Sequence, residues 1–280
     1  MLYEKAFQKG LWEAVRAEKA YAPLLSALLE DYRAVSREGP VSAVRFSEYI
    51  IYQETGSRKK YEAAYFARRK RLNTYALMAL VYPEEGEHLL QLQDTVWAIC
   101  DEYTWALPAH IAWRTGRDPG CIDLFSAETG FALSMIRHLL GDRLHEKMKE
   151  RIDWEINRRI IRPFLYRRFW WEHSNNNWAA VCAGSVGCTF MLSRPRLFSL
   201  IRPRIAFTMR RFLSGFSADG ILCGRRGLLE LWIWLFHGLC SALEGVYPWQ
   251  EELFQTPEGQ GNRRILSEDQ LGRRRNRQLL

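Results

Sequence analysis

The sequence predicts an all-α protein made of antiparallel helix pairs with short connecting loops. Apolar residues recur three, four and seven positions apart through residues 1–215, and no alternation longer than about four residues indicates a strand. Apolar residues form 48% of the 280 residues, enough for a substantial core. Such helix pairs form a bundle, a solenoid or an α/α toroid, and no fixed-period repeat favours the solenoid.

The first two well-bounded helices are predicted in residues 61–80 and 89–103. The first carries an aromatic and apolar stripe that ends before Pro83, and the second carries a stripe that ends before Pro108. Proline lacks an amide hydrogen and closes a helix, so both boundaries follow from the sequence.

The later helices are bounded in the same way. Asp123 is the expected N-cap of a helix that stops at Gly141. Residues 144–160 carry an apolar residue at every fourth position until Pro163 ends or kinks the helix. Two further helices are predicted, at residues 179–192 and 197–212.

The chain is basic, with a net charge of +8, and it carries many aromatic residues. Residues 221–280 hold 8 basic and 7 acidic side chains, so +7 of this charge lies in residues 1–220. All basic side chains after Lys149 are arginines apart from histidine. Arginines with exposed aromatics suit either nucleic acid or an acidic carbohydrate.

Other classes of protein are not indicated. The six cysteines form no CxxC pair and no zinc-ligand spacing, so we expect no metal and no cofactor. No apolar run is long enough to span a bilayer, and residues 1–5 show no secretory signal, so we expect no membrane partner and a cytoplasmic location.

An unusual segment, Trp170-Trp-Glu-His-Ser-Asn-Asn-Asn-Trp178, precedes the predicted helix at residues 179–192. An N-cap explains one asparagine but not three with indoles on both sides. Indole faces suit sugar rings, and amides donate hydrogen bonds to carboxylates. The candidate binding residues here are Trp171, His173, Asn175, Asn176, Asn177 and Trp178.

A second candidate group lies at the end of the predicted helix at residues 89–103. Glu102, Trp105 and His110 fall together in a polar and aromatic turn, where His110 is either a base or an ordinary helix-end histidine. A third group, which includes Arg159 and Arg168, either lines the approach of an anionic substrate or forms a solvated helix face, the commoner case.

Three ordered segments resemble the heparinase II/III family of polysaccharide lyases. They are Cys100-Asp-Glu-Tyr-Thr-Trp-Ala-Leu-Pro-Ala-His110, Asp123-Leu-Phe-Ser-Ala-Glu-Thr129 and Asn176-Asn-Trp-Ala-Ala-Val-Cys182. The resemblance covers about residues 45–220. It implies an (α/α) toroid, normally followed by a β-sandwich, and β-elimination of an acidic polysaccharide or oligosaccharide. It also implies that Asn176 and Asn177 neutralise the uronate carboxylate, and that tyrosine or histidine residues serve as base and acid.

The resemblance stops after Asp219-Gly220, where the family carries a segment like Tyr-Trp-Asn-Tyr-Gly-Phe-Gly-Tyr-Phe with a catalytic tyrosine. No tyrosine lies between Phe216 and Tyr247. If the gene is read one base later, the last two bases of the tryptophan codon TGG become the first two bases of a glycine codon. The codons of Trp232 and Trp234 would then encode the two glycines of the Gly-x-Gly in that segment. We therefore expect residues 1–220 to be an incomplete toroid without the β-sandwich, and residues 221–280 to be an out-of-frame or disordered segment.

Activity is accordingly expected to be weak or absent in this chain. Two alternatives remain open at this point. One is a helical module that binds acidic carbohydrate without cleaving it, and the other, which we rank last, is a nucleic-acid-binding helical protein. No recognition-helix motif supports the nucleic-acid alternative.

Overall fold

The computed structural model describes residues 4–8, 10–111 and 120–215, and the regular elements in these ranges are all helical. The all-α prediction is thereby confirmed for the described part of the chain. The helices are α1 (Leu11–Ala17), α2 (Ala22–Arg37), α3 (Phe46–Thr55), α4 (Lys59–Val81), α5 (Gly86–Cys100), α6 (Leu124–Leu139), α7 (Glu146–Ile156), α8 (Arg162–Tyr166), α9 (Asn177–Ser193) and α10 (Pro195–Leu213).

Shorter turns link some of these helices. They are 3-10 turns at Glu4–Phe7, Lys19–Tyr21, Pro108–His110 and Trp170–His173, and a π-turn at Asn157–Ile161. The predictions for residues 221–280 lie outside the described residues. None of the described helices is long and apolar enough to cross a membrane.

The chain divides into two compact units, Met1–Phe164 and Leu165–Leu280, and the boundary falls within α8. In the first unit, α4 packs against five other helices: α1, α2, α3, α5 and α6. The predicted stripe of α4 is buried, including Tyr61, Tyr65, Leu72 and Tyr75. The helix therefore forms the centre of this unit's core, as its periodicity predicts.

Buried arginines complete two helix ends in the first unit. Arg71 of α4 donates to the carbonyl oxygens of Val35 at 3.0 Å and Gly39 at 2.8 Å, at the end of α2. Arg159 donates to the carbonyl oxygens of Cys100 and Tyr103, each at 3.2 Å, just after α5. The last carbonyls of a helix have no partner within it, so these arginines satisfy groups that burial would otherwise leave unpaired. The expected solvated face is therefore wrong for Arg159.

The structure shows how the helical run that begins with α7 continues past Pro163, which lies in α8. The amide of Arg162 donates to the carbonyl of Asn157, five residues back, which makes a π-turn at Asn157–Ile161. A proline inside a regular α-helix lacks one amide hydrogen bond and clashes with the carbonyl four residues earlier. The wider turn lies directly before Pro163, at the position where the sequence predicts an end or a kink.

In the second unit, α9 packs against α10, and Arg194 alone separates the two helices. Every residue of α9 from Ala179 to Met191 is buried, and many of these residues are small. A Cβ atom at Gly184 would lie 3.5 Å from Cε of Met209, an ordinary contact distance. The small side chains of α9 therefore permit close packing with α10.

Candidate functional site

The histidine centre, which we define as His110, Asp123 and Arg58, lies in the first unit. Asp123 is fully buried and is the N-cap of α6. Its carboxylate accepts hydrogen bonds from the amides of Ser126 at 2.8 Å and Leu107 at 3.1 Å, and pairs with Nδ1 of His110 at 2.8 Å. One carboxylate therefore starts α6 and fixes the histidine ring.

The neighbours of His110 define which ring nitrogen carries the proton. Nη2 of Arg58 lies 3.4 Å from Nε2 of the histidine. A guanidinium can only donate, so a hydrogen bond between these two atoms requires Nε2 to accept and leaves the ring proton on Nδ1, which faces Asp123. The ring also stacks on Phe125, with 5.8 Å between centroids. A carboxylate that orients a histidine through Nδ1 is the arrangement found around histidine bases.

Glu102 lies just after the end of α5, where it is buried and is held by two arginines of α4. Its carboxylate accepts from Nη1 of Arg68 at 2.9 Å and from Nη2 of Arg69 at 2.7 Å. Both of its oxygens are paired, so Glu102 is a structural anion whose charge is balanced inside the protein. The sequence identified Glu102 as a candidate ligand-binding residue, whereas the observed contacts are with the protein's own arginines.

Trp105 is also buried, with an exposed fraction of 1%. Its Nε1 donates to the carbonyl of Ile99 at 2.9 Å, and the guanidinium carbon of Arg159 lies 4.9 Å from its ring centroid. The structure therefore places Trp105 in the core, with a cation on its ring, rather than on a surface where a sugar ring stacks.

Two side chains near this centre have raised pKa values. Burial raises the pKa of Tyr65, whose hydroxyl donates to the carbonyl of Trp105 at 2.8 Å. The half-buried Glu128 of α6 has a pKa raised from its ordinary 4.5 to about 7, because of desolvation first and the nearby Asp123 carboxylate second. Glu128 is therefore partly protonated at neutral pH.

The asparagine centre, which we define as residues 170–178, lies in the second unit. It consists of the 3-10 turn Trp170–His173, the two residues Ser174 and Asn175, and the start of α9. Oδ1 of Asn176 accepts from the amide of Trp178 at 3.0 Å, so Asn176 is the N-cap of α9. The cap uses the amide oxygen of Asn176 and leaves its two N–H donors available.

The other two asparagines have no such structural task. Asn175 is exposed and Asn177 is half-buried, and no described residue hydrogen-bonds to either side chain. Their amides lie at the N-terminal end of a 17-residue helix, where backbone N–H groups and the helix dipole favour an anion. The three asparagines together therefore provide donors for a negatively charged group.

The tryptophans of this centre divide into two kinds. Trp171 is fully buried and stacks on Phe169, with 5.4 Å between ring centroids. Trp170 is 61% exposed and lies 4.9 Å from the half-buried Trp178, ring to ring. Trp170 and Trp178 form the accessible indole surface, and Trp171 supports it from the core.

Polar contacts fix the turn that carries these residues. The buried carboxylate of Glu172 accepts from both Nε and Nη2 of Arg204 and from the amide of Phe169. Arg168 is exposed and lies 3.9 Å from the same carboxylate. Glu172 therefore joins the 3-10 turn to α10, whereas Arg168 keeps most of its surface in solvent.

α10 also supports the end of the turn at His173. This histidine is exposed, its ring meets Phe207 edge-on at 5.2 Å, and Nε of Arg211 donates to its carbonyl at 3.3 Å. Sequence reasoning did not identify Arg204, Arg211 or Phe207, because their contacts cross more than 30 residues of chain.

The described residues contain no group of three His, Cys, Asp or Glu side chains placed to hold a metal ion. No protein-family model matches the chain, and no curated protein matches it. The interpretation of both centres therefore depends on their own geometry.

Proposed function

We propose that the chain is a polysaccharide lyase of the heparinase II/III type that recognises uronate-containing polysaccharides or oligosaccharides. The observation that carries this proposal is the asparagine centre. Amide donors without protein partners lie at the start of a long helix, beside the exposed indole of Trp170 and the half-buried indole of Trp178. A uronate has an anion for the donors and an apolar ring face for the indoles.

The chemistry of β-elimination assigns a task to each group. Hydrogen bonds from Asn176 and Asn177 to the carboxylate make the neighbouring C–H bond more acidic. A base takes that proton, its electron pair forms a carbon–carbon double bond, and the glycosidic C–O bond breaks. An acid then protonates the departing oxygen. For the base, the candidate that the sequence singles out is His110, whose ring is oriented through Nδ1 by Asp123.

The toroid remains part of this proposal. Consecutive helices with short connections pack together in each unit, as α4 with α5 and α9 with α10. Such pairs are the repeating unit of an (α/α) toroid, and we propose that this chain forms an incomplete one. We further propose that the reading frame changes between Asp219 and Leu228, which removes the family's catalytic tyrosine and leaves this chain weakly active or inactive.

The first test separates the two tasks of Asn176 by calorimetric titration with a mannuronate trisaccharide. Serine keeps the capping oxygen but lacks the amide donors, so Asn176→Ser should retain the free energy of unfolding and weaken binding about tenfold. Asn176→Ala should weaken binding similarly and also lose about 1 kcal/mol of stability. Asn73→Ala, at an exposed asparagine of α4, is the control and should change neither. Unaltered affinity in Asn176→Ser and Asn177→Ala would contradict the proposal.

The second test concerns catalysis and begins with the nucleotide sequence of the gene. Shifting the frame by one base between codons 219 and 228 should restore a tyrosine-containing segment. The restored chain should release unsaturated uronate from alginate or heparosan, detected by its ultraviolet absorbance, and His110→Gln should abolish this release. If the restored chain binds these polymers and never cleaves them, the non-catalytic carbohydrate-binding module is the better description.

A further inference from the structure

The first unit contains a cleft, here called the tyrosine cleft, with a volume of about 580 Å³. It is lined by residues 41–46, Tyr49, Tyr61, Arg68, Ala98 and residues 101–103. Its volume lies within the range of about 300–1,000 Å³ that is typical of small-molecule sites. None of its tyrosines belongs to the asparagine centre or to the histidine centre.

Aromatic rings form one side of the tyrosine cleft. Tyr49 meets Tyr61 edge-on at 5.9 Å and Tyr103 edge-on at 5.5 Å. Tyr103 is 60% exposed and Phe46 is 76% exposed, although both are large apolar side chains. Aromatic surface of this kind, with hydroxyl groups at its edge, suits the apolar face and the hydroxyls of a sugar ring.

The hydroxyl of Tyr61 is the unusual group in the tyrosine cleft. The residue is only 4% exposed, yet no described residue hydrogen-bonds to this hydroxyl. Its neighbour Tyr65 is also buried but donates to the carbonyl of Trp105. Burial raises the pKa of Tyr61, so the phenol stays protonated and acts as a donor. The hydroxyl is not one of the fully buried unpaired polar atoms of the described residues, so it opens onto the cleft and is available to donate to a ligand there.

The charges around the tyrosine cleft favour an anionic ligand. Arg68 is occupied by the Ser42 carbonyl and by Glu102, and Asp101 is paired with Arg151 at 2.8 Å. Arg45 at the rim is exposed and forms no ion pair with any described residue. A free guanidinium at the rim can bind a carboxylate with two parallel hydrogen bonds.

The tyrosine cleft also adjoins the histidine centre. Tyr61, Tyr65 and Leu107 form one buried cluster with Phe125 packed against it, and His110 stacks on Phe125. Glu102 lines the cleft and also pairs with Arg69, whose guanidinium covers the ring of Tyr65 at 3.6 Å.

We infer that the tyrosine cleft is a saccharide subsite that binds a uronate unit, with the Tyr61 hydroxyl donating to a sugar oxygen and Arg45 pairing with the carboxylate. This inference rests on the proposed function, because it takes a uronate as the ligand of the cleft. Tyr61 and Arg45 are binding residues and take no part in proton transfer.

The test is calorimetric titration of the full chain with two probes, a mannuronate trisaccharide and a heparosan tetrasaccharide. Tyr61→Phe removes only the hydroxyl and should weaken binding of at least one probe about three- to tenfold. Arg45→Gln changes an exposed side chain and should weaken the same probe about tenfold and reduce its salt dependence. Tyr75→Phe is the matched control. It removes a buried hydroxyl that already bonds to Ser36 at 3.3 Å, and it should leave the affinity unchanged.

The outcomes separate this inference from the proposed function. Loss of affinity in Asn177→Ala but not in Tyr61→Phe or Arg45→Gln overturns the subsite and leaves the proposed function standing. Loss in Tyr61→Phe and Arg45→Gln but not in Asn177→Ala supports the subsite and contradicts the role of the asparagine centre. Failure of the unaltered chain to bind either probe overturns the subsite.

Discussion

Asp123 is the residue on which the histidine centre depends. Its carboxylate accepts from two backbone amides and from His110. Two of these contacts are structural and the third sets the histidine tautomer. Sequence reasoning identified Asp123 as a helix cap, because the residue before an apolar stripe is a common capping position. The pairing with His110 was not predicted, because it requires the Pro108–His110 turn to fold back onto the start of α6.

Glu128 provides a prediction at the residue scale, since its pKa is raised from 4.5 to about 7. Between these two pH values the unfolded chain loses the proton and the folded chain keeps it, so wild-type stability falls as pH rises through this window. Glu128→Gln cannot ionise. It should match the wild type below pH 4.5 and exceed its free energy of unfolding by about 3 kcal/mol at pH 7 and above.

Urea denaturation at a series of pH values measures this difference. Glu54→Gln, at an exposed position of α3, is the control and should follow the wild type at every pH. A constant difference between Glu128→Gln and the wild type across the whole range would contradict the raised pKa.

At the scale of elements, Asn176 shows how a helix end and a binding surface use one side chain. Its oxygen begins α9 and its nitrogen remains available. The asparagine preference for N-caps made this position predictable. The support from α10 was not predictable in this way, because Arg204 and Glu172 are 32 residues apart and meet only when α10 packs beside the turn.

The end of α10 carries a second prediction. A Cβ atom at Gly215 would overlap the backbone carbonyl oxygen of Asn175, and backbone cannot move aside cheaply. Gly215→Ala should therefore lower the free energy of unfolding by about 1–3 kcal/mol and weaken binding at the asparagine centre. Thermal denaturation and trisaccharide titration measure the two effects.

Gly184→Ala is the matched control for this substitution. Its new methyl group would meet only the flexible end of Met209 at 3.5 Å, inside a helix. Alanine is a better helix former than glycine, so stability should stay the same or rise by about 0.5–1 kcal/mol. Equal changes in the free energy of unfolding for the two alanine variants would show that the close approach of Gly215 to the Asn175 carbonyl does not affect stability.

At the scale of the whole molecule, the net charge of +8 is the property that most affects which binding partners are attracted. Several arginines that contribute to it are paired internally, such as Arg68 and Arg69 with Glu102 and Arg204 with Glu172. The surface field therefore comes from exposed cations such as Arg45 and Arg168. Such a field attracts a polyanion at long range and is screened by salt.

The third prediction follows from this field. Raising sodium chloride from about 0.05 M to about 0.5 M should weaken alginate binding at least about tenfold, because salt shortens the Debye length and screens the exposed charges. Binding of a neutral mannan should not change. Calorimetry at each salt concentration measures both, and single-stranded DNA of equal charge should bind more weakly than alginate. Tighter binding of DNA would favour the nucleic-acid alternative.

The sequence by itself determined the helical class and the approximate bounds of five of the ten α-helices in the described residues, because these depend on local periods, prolines and caps. The bounds of α4, α6, α7, α9 and α10 lie close to their predicted positions. These signals act within one or two helical turns, so a single chain displays them without any knowledge of packing.

The tertiary structure alone decided which side chains are left to bind a ligand. Tyr61 and Tyr65 occupy the same apolar stripe of α4, but only Tyr65 meets a backbone carbonyl across the core. Trp105 and Trp171 are buried, whereas Trp170 is exposed. Whether a polar atom has a partner depends on residues distant in sequence, and only the folded chain brings those residues together.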